Sequence, residues 1–367
     1  MKKFINFIKS AFIKLILFIF ILFLILFVCT YIFSIKNGLP IENTISYLKI
    51  IANEVINNDT IDEIPVNDNI YIGSSSAENT NYYYNQLDST SKIIYDSFEE
   101  NIDNLKKENY IIELSNEFNN LLKESSGQYK LSKSFQSALD AFFYDHPELF
   151  YIDLTKISLN TKCISLGPIK TYTVEIAPND STNYLHSYFK SEQDVNNAIK
   201  HVESVKNSII NTVSSETDIY NKILKVHDLL VNSLEYGTSL TKSNIHNIYG
   251  ALVEREVVCE GYAKAFKYIL DSLDIECILV SGNATNSSNQ TELHMWNYVK
   301  INDFWYGVDV TWDDPIIIGQ SILQYTRHNY LLKGYRTFIN SHVPSGKISN
   351  TGMFFTLPIL SDTNYKY

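Results

Sequence analysis

The stretch VVCEGYAKAF, residues 257–266, sets two β-branched residues and a lone cysteine directly before a run that reads as a helix start. Beyond Cys259 the apolar positions Ala263, Phe266, Leu270 and Leu273 step by three or four, which is one stripe of a helix. A residue at such a start meets backbone N–H groups without helical partners and the positive end of the helix dipole. Both favour a thiolate, as would an imidazolium alongside. The backbone N–H of Cys259 is also placed to stabilise an oxyanion during attack on a carbonyl. This stretch therefore predicts a helix beginning at Cys259 with a usable thiol, and asks which base serves it.

The answer lies downstream. IECILVSGNA (275–284) reads as a short buried strand, and the polar run NATNSSNQTE (283–292) as a solvated loop. HMWNYVKI (294–301) and FWYGVDVT (304–311) are two β-rich runs joined by Asn302-Asp303, the spacing of a two-residue hairpin. With those two as the turn, opposed residue numbers sum to 605, so His294 faces Thr311 and Asp309 faces Trp296. His294 and Asp309 then share a face as diagonal neighbours, about 7–8 Å apart at the backbone and within side-chain reach. A slip of one residue would put them on opposite faces. A cysteine at a helix start, a histidine on a nearby strand and an aspartate to orient it make an acyl-transfer triad.

VCEGYAKAF (258–266), HMWNYVKI and FWYGVDVTWDDP (304–315) closely resemble the three signature blocks of the transglutaminase-like superfamily, in the order Cys, His, Asp, with bacterial extracellular members the most similar. The upstream pieces DHPELFYID (145–153) and IYNKILKVHDLLVNSLEY (219–236) resemble it more loosely. The resemblance implies an α+β, papain-like core: a helix bearing Cys259 as nucleophile, packed on an antiparallel sheet that carries His294 as base and acid and Asp309 as orienting carboxylate. Arg255 and Val257 before the cysteine and Met295 after the histidine depart from the small residues common there, with consequences expected for the cleft. Asp313 and Asp314 compete with Asp309, but they precede Pro315 and read as turn residues. Tyr249, Trp296 and Trp312 are the candidates for substrate contact. Tyr249 and His246 are also candidates for a second oxyanion donor, with packing the alternative. Cys277 reads as structural. Cys163 and His342 receive no assignment.

The chain around this core is uneven. Residues 1–36 hold five lysines and no acid, which leaves 25 basic against 41 acidic residues beyond Lys36, a net of −16. So acidic a body argues against nucleic-acid binding. Residues 15–35, LILFIFILFLILFVCTYIFSI, are 21 residues without a charge. As a helix they would span about 31 Å, enough for a bilayer core. Four lysines before the run and one after it predict a single-pass anchor with the N-terminus inside and the body outside the cell membrane. The expected organisation is an anchor at 1–36, a juxtamembrane segment and polar linker at 37–86, a mainly helical region at 87–215 and the transglutaminase-like domain at 216–367. Helices are predicted over 87–122, 132–144, 194–213 and 218–234, and a strand over 171–177.

These readings predict a membrane-anchored extracellular thiol enzyme that acts on peptide or carboxamide bonds of a protein or cell-wall peptide through a Cys259 thioester, released by water or captured by an amine. No cofactor or metal is expected, since no CxxC, zinc-type spacing or calcium loop is present. The alternative is a non-catalytic surface or scaffold protein that retains the fold.

Overall fold

Asp88 accepts the backbone N–H of Ser91 and so caps α1 (Ser89–Glu99), which buries Ile94, Tyr95 and Phe98. The computed structural model describes residues 81–179, 182–239, 242–314 and 327–367. The predicted anchor at 15–35 and most of the predicted linker lie outside these residues. Among the described residues no helix is long and apolar enough to cross a membrane.

The end of the predicted linker is not linker. Tyr83 is fully buried, and the backbone N–H groups of Tyr83 and Tyr84 both bond the carboxylate of Asp145. A polar composition misleads here because tyrosine has a large ring to bury. Tyr83 packs edge-on against Tyr144 and Phe355, and its hydroxyl donates to the carbonyl of Leu279.

The helix predicted to reach 122 stops at Glu99. Asn101 turns its side chain back to the carbonyl of Ser97, and Asn109 takes a positive φ of 53°. These breaks release Ile112–Ser115 as β1, before the short α2 (Asn119–Leu122). The next helix, α3 (Gly127–Asp145), stacks Phe142 on Phe98 and sets it edge-on to Tyr95. Two strands follow, β2 (Ile157–Leu166) and β3 (Ile169–Pro178), in a sheet of order β1-β3-β2. They pair from Ile157↔Pro178 to Leu166↔Ile169, which leaves the two-residue loop Gly167-Pro168 with Gly167 at φ 61°. The region 87–215 thus carries a three-stranded sheet as well as its helices.

Ser191 caps α4 (Glu192–Val213) and Asp218 caps α5 (Ile219–Ser233), both near the predicted bounds. β4 (Glu235–Tyr236) runs parallel to β5 (Glu256–Val257). Between them lies a π-helical turn, Gly250–Glu254, closed by Arg255 in the left-handed region. Then come α6 (Cys259–Asp271), β6 (Cys277–Thr285), β7 (Thr291–Ile301), β8 (Phe304–Val308), α7 (Val310–Asp313), α8 (Tyr335–Phe338) and β9 (His342–Pro344). The antiparallel sheet has the order β8-β7-β6-β9. Asn297 of β7 donates to the carbonyl of Ala263 and so ties the sheet to α6. Residues from Tyr83 to Leu360 form one contiguous core, shared by both of the predicted body regions.

The β7–β8 hairpin has the predicted register, from Ile301↔Phe304 to Asn297↔Val308. Asn302 and Asp303 both take positive φ, 49° and 67°, as a type I′ turn requires. One detail is corrected. The ladder ends at Val308, so Asp309 does not pair with Trp296 nor His294 with Thr311. Asp309 instead caps α7, accepting the backbone N–H groups of Thr311 and Trp312 on Oδ1. Asp313 and Asp314 are not turn residues at the surface either. Both are fully buried: Asp313 bonds His227 and the backbone N–H of Tyr330, and Asp314 accepts the hydroxyl of Tyr262.

Candidate active site

Cys259 is the first residue of α6 and is half-buried. Val258 precedes it in an extended conformation and offers no side-chain cap, so capping does not consume the first-turn N–H groups. The entry is held by backbone bonds from Val258 N to Ile245 O and from Gly237 N to Val257 O. Val257, one of the departures, is fully buried. A Cβ on Gly261 would lie 2.5 Å from that of Val257, so the glycine makes room for the valine inside the fold. Met295 is also buried, while Arg255 is exposed.

His294 is buried on β7 beyond the end of β8. Its Nε2 lies 2.8 Å from Asp309 Oδ2, and Cys259 is close enough to act on the charge of its ring. With Nε2 committed to Asp309, Nδ1 is the nitrogen left for the thiol. Burial opposes charge on His294, but the charge and hydrogen bond of Asp309, joined by Cys259, outweigh it and lift its pKa to about 10. Burial likewise opposes charge on Asp309, and His294 and then His342 overcome it, holding the carboxyl well below the usual carboxylate range. The structure thus brings Cys259, His294 and Asp309 together, with an imidazolium beside a carboxylate.

Three neighbours have no signal in the sequence. His342, fully buried on β9, places Nε2 2.9 Å from the same Oδ2 of Asp309. Its three-residue strand is too short for periodicity to mark it. Tyr236 lies within electrostatic range of Cys259 and Asp309; burial first, then the charge of Cys259, pushes its pKa up to about 12. Burial raises Tyr144 likewise, with Cys259 among its neighbours, so both phenols stay protonated.

The predicted substrate contacts separate. Trp312 is half-buried, its ring 5.2 Å from that of His294. Trp296 is 1% exposed and packs edge-on against His342 and Phe338, which makes it the floor of the site and not its lining. Tyr249 packs among Phe150, Tyr188 and Phe189; among the described residues no hydrogen bond or ring contact joins it to the triad. His246 pairs with Glu260 at 3.1 Å, so packing and pairing account for both former oxyanion candidates. Two groups bring metal-ligating atoms within 4.8 Å of one another, His294/Asp309/His342 and His227/Asp228/His328. In each, a carboxylate oxygen accepts from two imidazoles at 2.8–3.0 Å, hydrogen-bond lengths that need no ion.

Among solved structures, a TGase matches with TM-score 0.30 and 9% identity over 47% of this chain and 48% of that one. A protein from Cytophaga hutchinsonii, provisionally assigned as a cysteine protease, matches with TM-score 0.27 and 15% identity over 46% and 68% of the two chains. The periplasmic domain of TgpA from Pseudomonas aeruginosa matches with TM-score 0.26 and 12% identity over 41% and 58%. The chain thus spans about half the length of the first of these, 48%. No curated protein matches it. The sequence model of the Transglutaminase-like superfamily core matches residues 205–310, a span that contains Cys259, His294 and Asp309 and ends one residue beyond the aspartate. Residues 205–310 are a transglutaminase-like domain.

Proposed function

We propose that the protein is a thiol enzyme that cleaves or transfers acyl groups from peptide or carboxamide bonds. The observation that carries this reading is the position of His294, held by Asp309 at 2.8 Å and within electrostatic reach of Cys259 at the start of α6. With the proton on His294 Nδ1, the Cys259 sulfur bonds to the substrate carbonyl carbon. Backbone N–H groups at the start of α6 donate to the developing oxyanion. The C–N bond breaks as His294 returns the proton to the leaving amine, which leaves a thioester on Cys259. Water, deprotonated by His294, adds to the thioester and releases the acid; an amine adding instead gives a new amide. Hydrolysis is the proposed main course, with Trp312 as a wall for the acyl chain.

The reading extends to location. Residues 15–35 serve as a single-pass anchor with the N-terminus inside, residues 87–215 precede the domain proper, and the site meets surface proteins or cell-wall peptides outside the cell. The test is made on the full chain in detergent. It is incubated with glutamine-containing peptides in 18O-water, with and without a primary amine, and products are read by mass spectrometry. An acyl-enzyme on Cys259, absent in Cys259→Ala, supports the reading, and 18O or amine in the product assigns the acceptor. A native chain that forms no adduct and releases no product would leave the scaffold alternative.

A further inference from the structure

Asp309 is shared by two histidines. Its Oδ1 accepts the N–H groups of Thr311 and Trp312 at 3.0 and 3.2 Å, and its Oδ2 lies 2.8 Å from His294 Nε2 and 2.9 Å from His342 Nε2. A carboxylate offers about four acceptor positions, so this one is filled.

The sheet makes the sharing possible. His294 pairs with Gly282 of β6 and His342 with Ala284, so the two histidines stand on one face, on strands flanking β6. The residues of β6 beneath them are its smallest. A Cβ on Gly282 would come within 2.2 Å of the carbonyl of Val343 and 2.9 Å of the Trp296 ring, so nothing larger fits. The two imidazole centroids are 5.9 Å apart.

The surroundings of His342 fix its proton. Ser341 Oγ lies 2.8 Å from Nδ1, and Nε2 lies 2.9 Å from Asp309 Oδ2. An ionised carboxylate only accepts, so the proton of a neutral imidazole sits on Nε2, and the Ser341 hydroxyl donates to Nδ1. The ring lies flat on Phe338 at 4.1 Å and 12°. Burial, and the charge of His294, oppose a second cation there and outweigh Asp309.

We propose that His342 is a positioning residue for Cys259, His294 and Asp309: as a neutral imidazole it donates Nε2–H to Oδ2, fixes the oxygen that orients His294, and keeps the carboxylate ionised. This rests on the catalytic reading above. The titratable groups that face the pair are His294 on β7, Cys259 on α6, Tyr236 on β4, Asp313 on α7, and Tyr330.

The test follows Cys259 alkylation by iodoacetamide against pH in the full chain, by mass spectrometry, with Cys277 as internal reference. His342→Leu removes the donor from a buried carboxylate, so Asp309 takes its proton at higher pH. The acid limb of the profile should rise by about one to two pH units. His342→Gln, which keeps an N–H donor at similar reach, should restore most of the native profile. A Leu variant with the native profile overturns the proposal. So do Leu and Gln variants equally impaired, since ring packing alone would then matter. Histidine side-chain 15N spectra separate this failure from failure of the catalytic reading. A native Cys259 indifferent to His294→Ala, in chains whose spectra show His342 protonated on Nε2, sinks the catalysis and keeps the pairing. His342 protonated on Nδ1 sinks the pairing itself.

Discussion

The short helix α7 and its cap hold two carboxylates, four residues apart, that serve two different centres. Asp309 binds His294 and His342, and His294 interacts in turn with Cys259. Asp313 binds His227, whose other nitrogen meets Asp228 at 3.0 Å, and Asp228 in turn meets His328. Both centres are acid–imidazole networks, the second reaching the surface at His328, and in both the buried histidine bonded to the α7 aspartate is pushed up in pKa against the pull of burial. The difference is a nucleophile. One network ends on a half-buried thiol at a helix start, the other on α5 with no thiol among its partners. An Asp–His pair is thus no site by itself; the same interaction that tunes a base at one end of α7 fastens a helix at the other.

The largest expected effect breaks the comparison at the reactive end. Asp309→Asn should slow Cys259 alkylation at neutral pH by about 10²–10⁴, the usual range for losing a tuned acid–base group. Asp313→Asn should leave the rate in the folded protein within a few-fold of native. Equal losses in both variants, read by mass spectrometry, would mean that α7 acts as one unit.

Next in size is stability. His227→Leu takes the imidazole from the buried carboxylate of Asp313 and should cost about 3–5 kcal/mol in urea unfolding, with the Cys259 reaction unchanged. If this variant unfolds as late as the native chain, the second centre does not fasten α5.

A comparable effect concerns pH. The folded pKa of His294, about 10, lies above its ordinary value of 6.5. Its contribution is therefore complete below about pH 6.5 and is lost as pH rises through 10, on the order of 5 kcal/mol. Melting temperatures followed from pH 6.5 to 10 should fall in the native chain and fall less in His294→Leu. Parallel curves would place the proton elsewhere.

The smallest effect sharpens the boundary between the centres. Trp312 rests on His294, His342 and Tyr330 and is half-buried. Trp312→Ala should change KM for an acyl substrate several-fold, whereas Trp296→Ala, deep in the core, should cost about 3–5 kcal/mol of stability. The reverse pattern would exchange their roles.

How much of this was legible in the sequence varies with the element. The β7–β8 hairpin was readable to the residue, because Asn302-Asp303 admits the positive φ angles that a two-residue turn demands and the flanking runs are rich in β formers. The end of β8 was not, since Asp309 looks like one more strand residue until its carboxylate turns onto the next N–H groups. The β2–β3 hairpin was half hidden. β2 is largely exposed beyond its first residues, with Ile164 and Leu166 at the surface beside Ile169 of β3, so alternation carries little signal there. Cys259, His294 and Asp309 could be picked by type and spacing. His342 could not: 33 residues separate it from Asp309, and only the pairing of β9 with β6 brings it home.

The seating of Tyr83 and Tyr84 has a mechanical consequence. Both backbone N–H groups end on Asp145 of α3, and the Tyr83 hydroxyl ends on Leu279 of β6. A pull on the chain from its N-terminal side therefore does not peel the body from a free end. The load enters inside the fold, at α3 and at β6, the strand that lies between the two histidine strands.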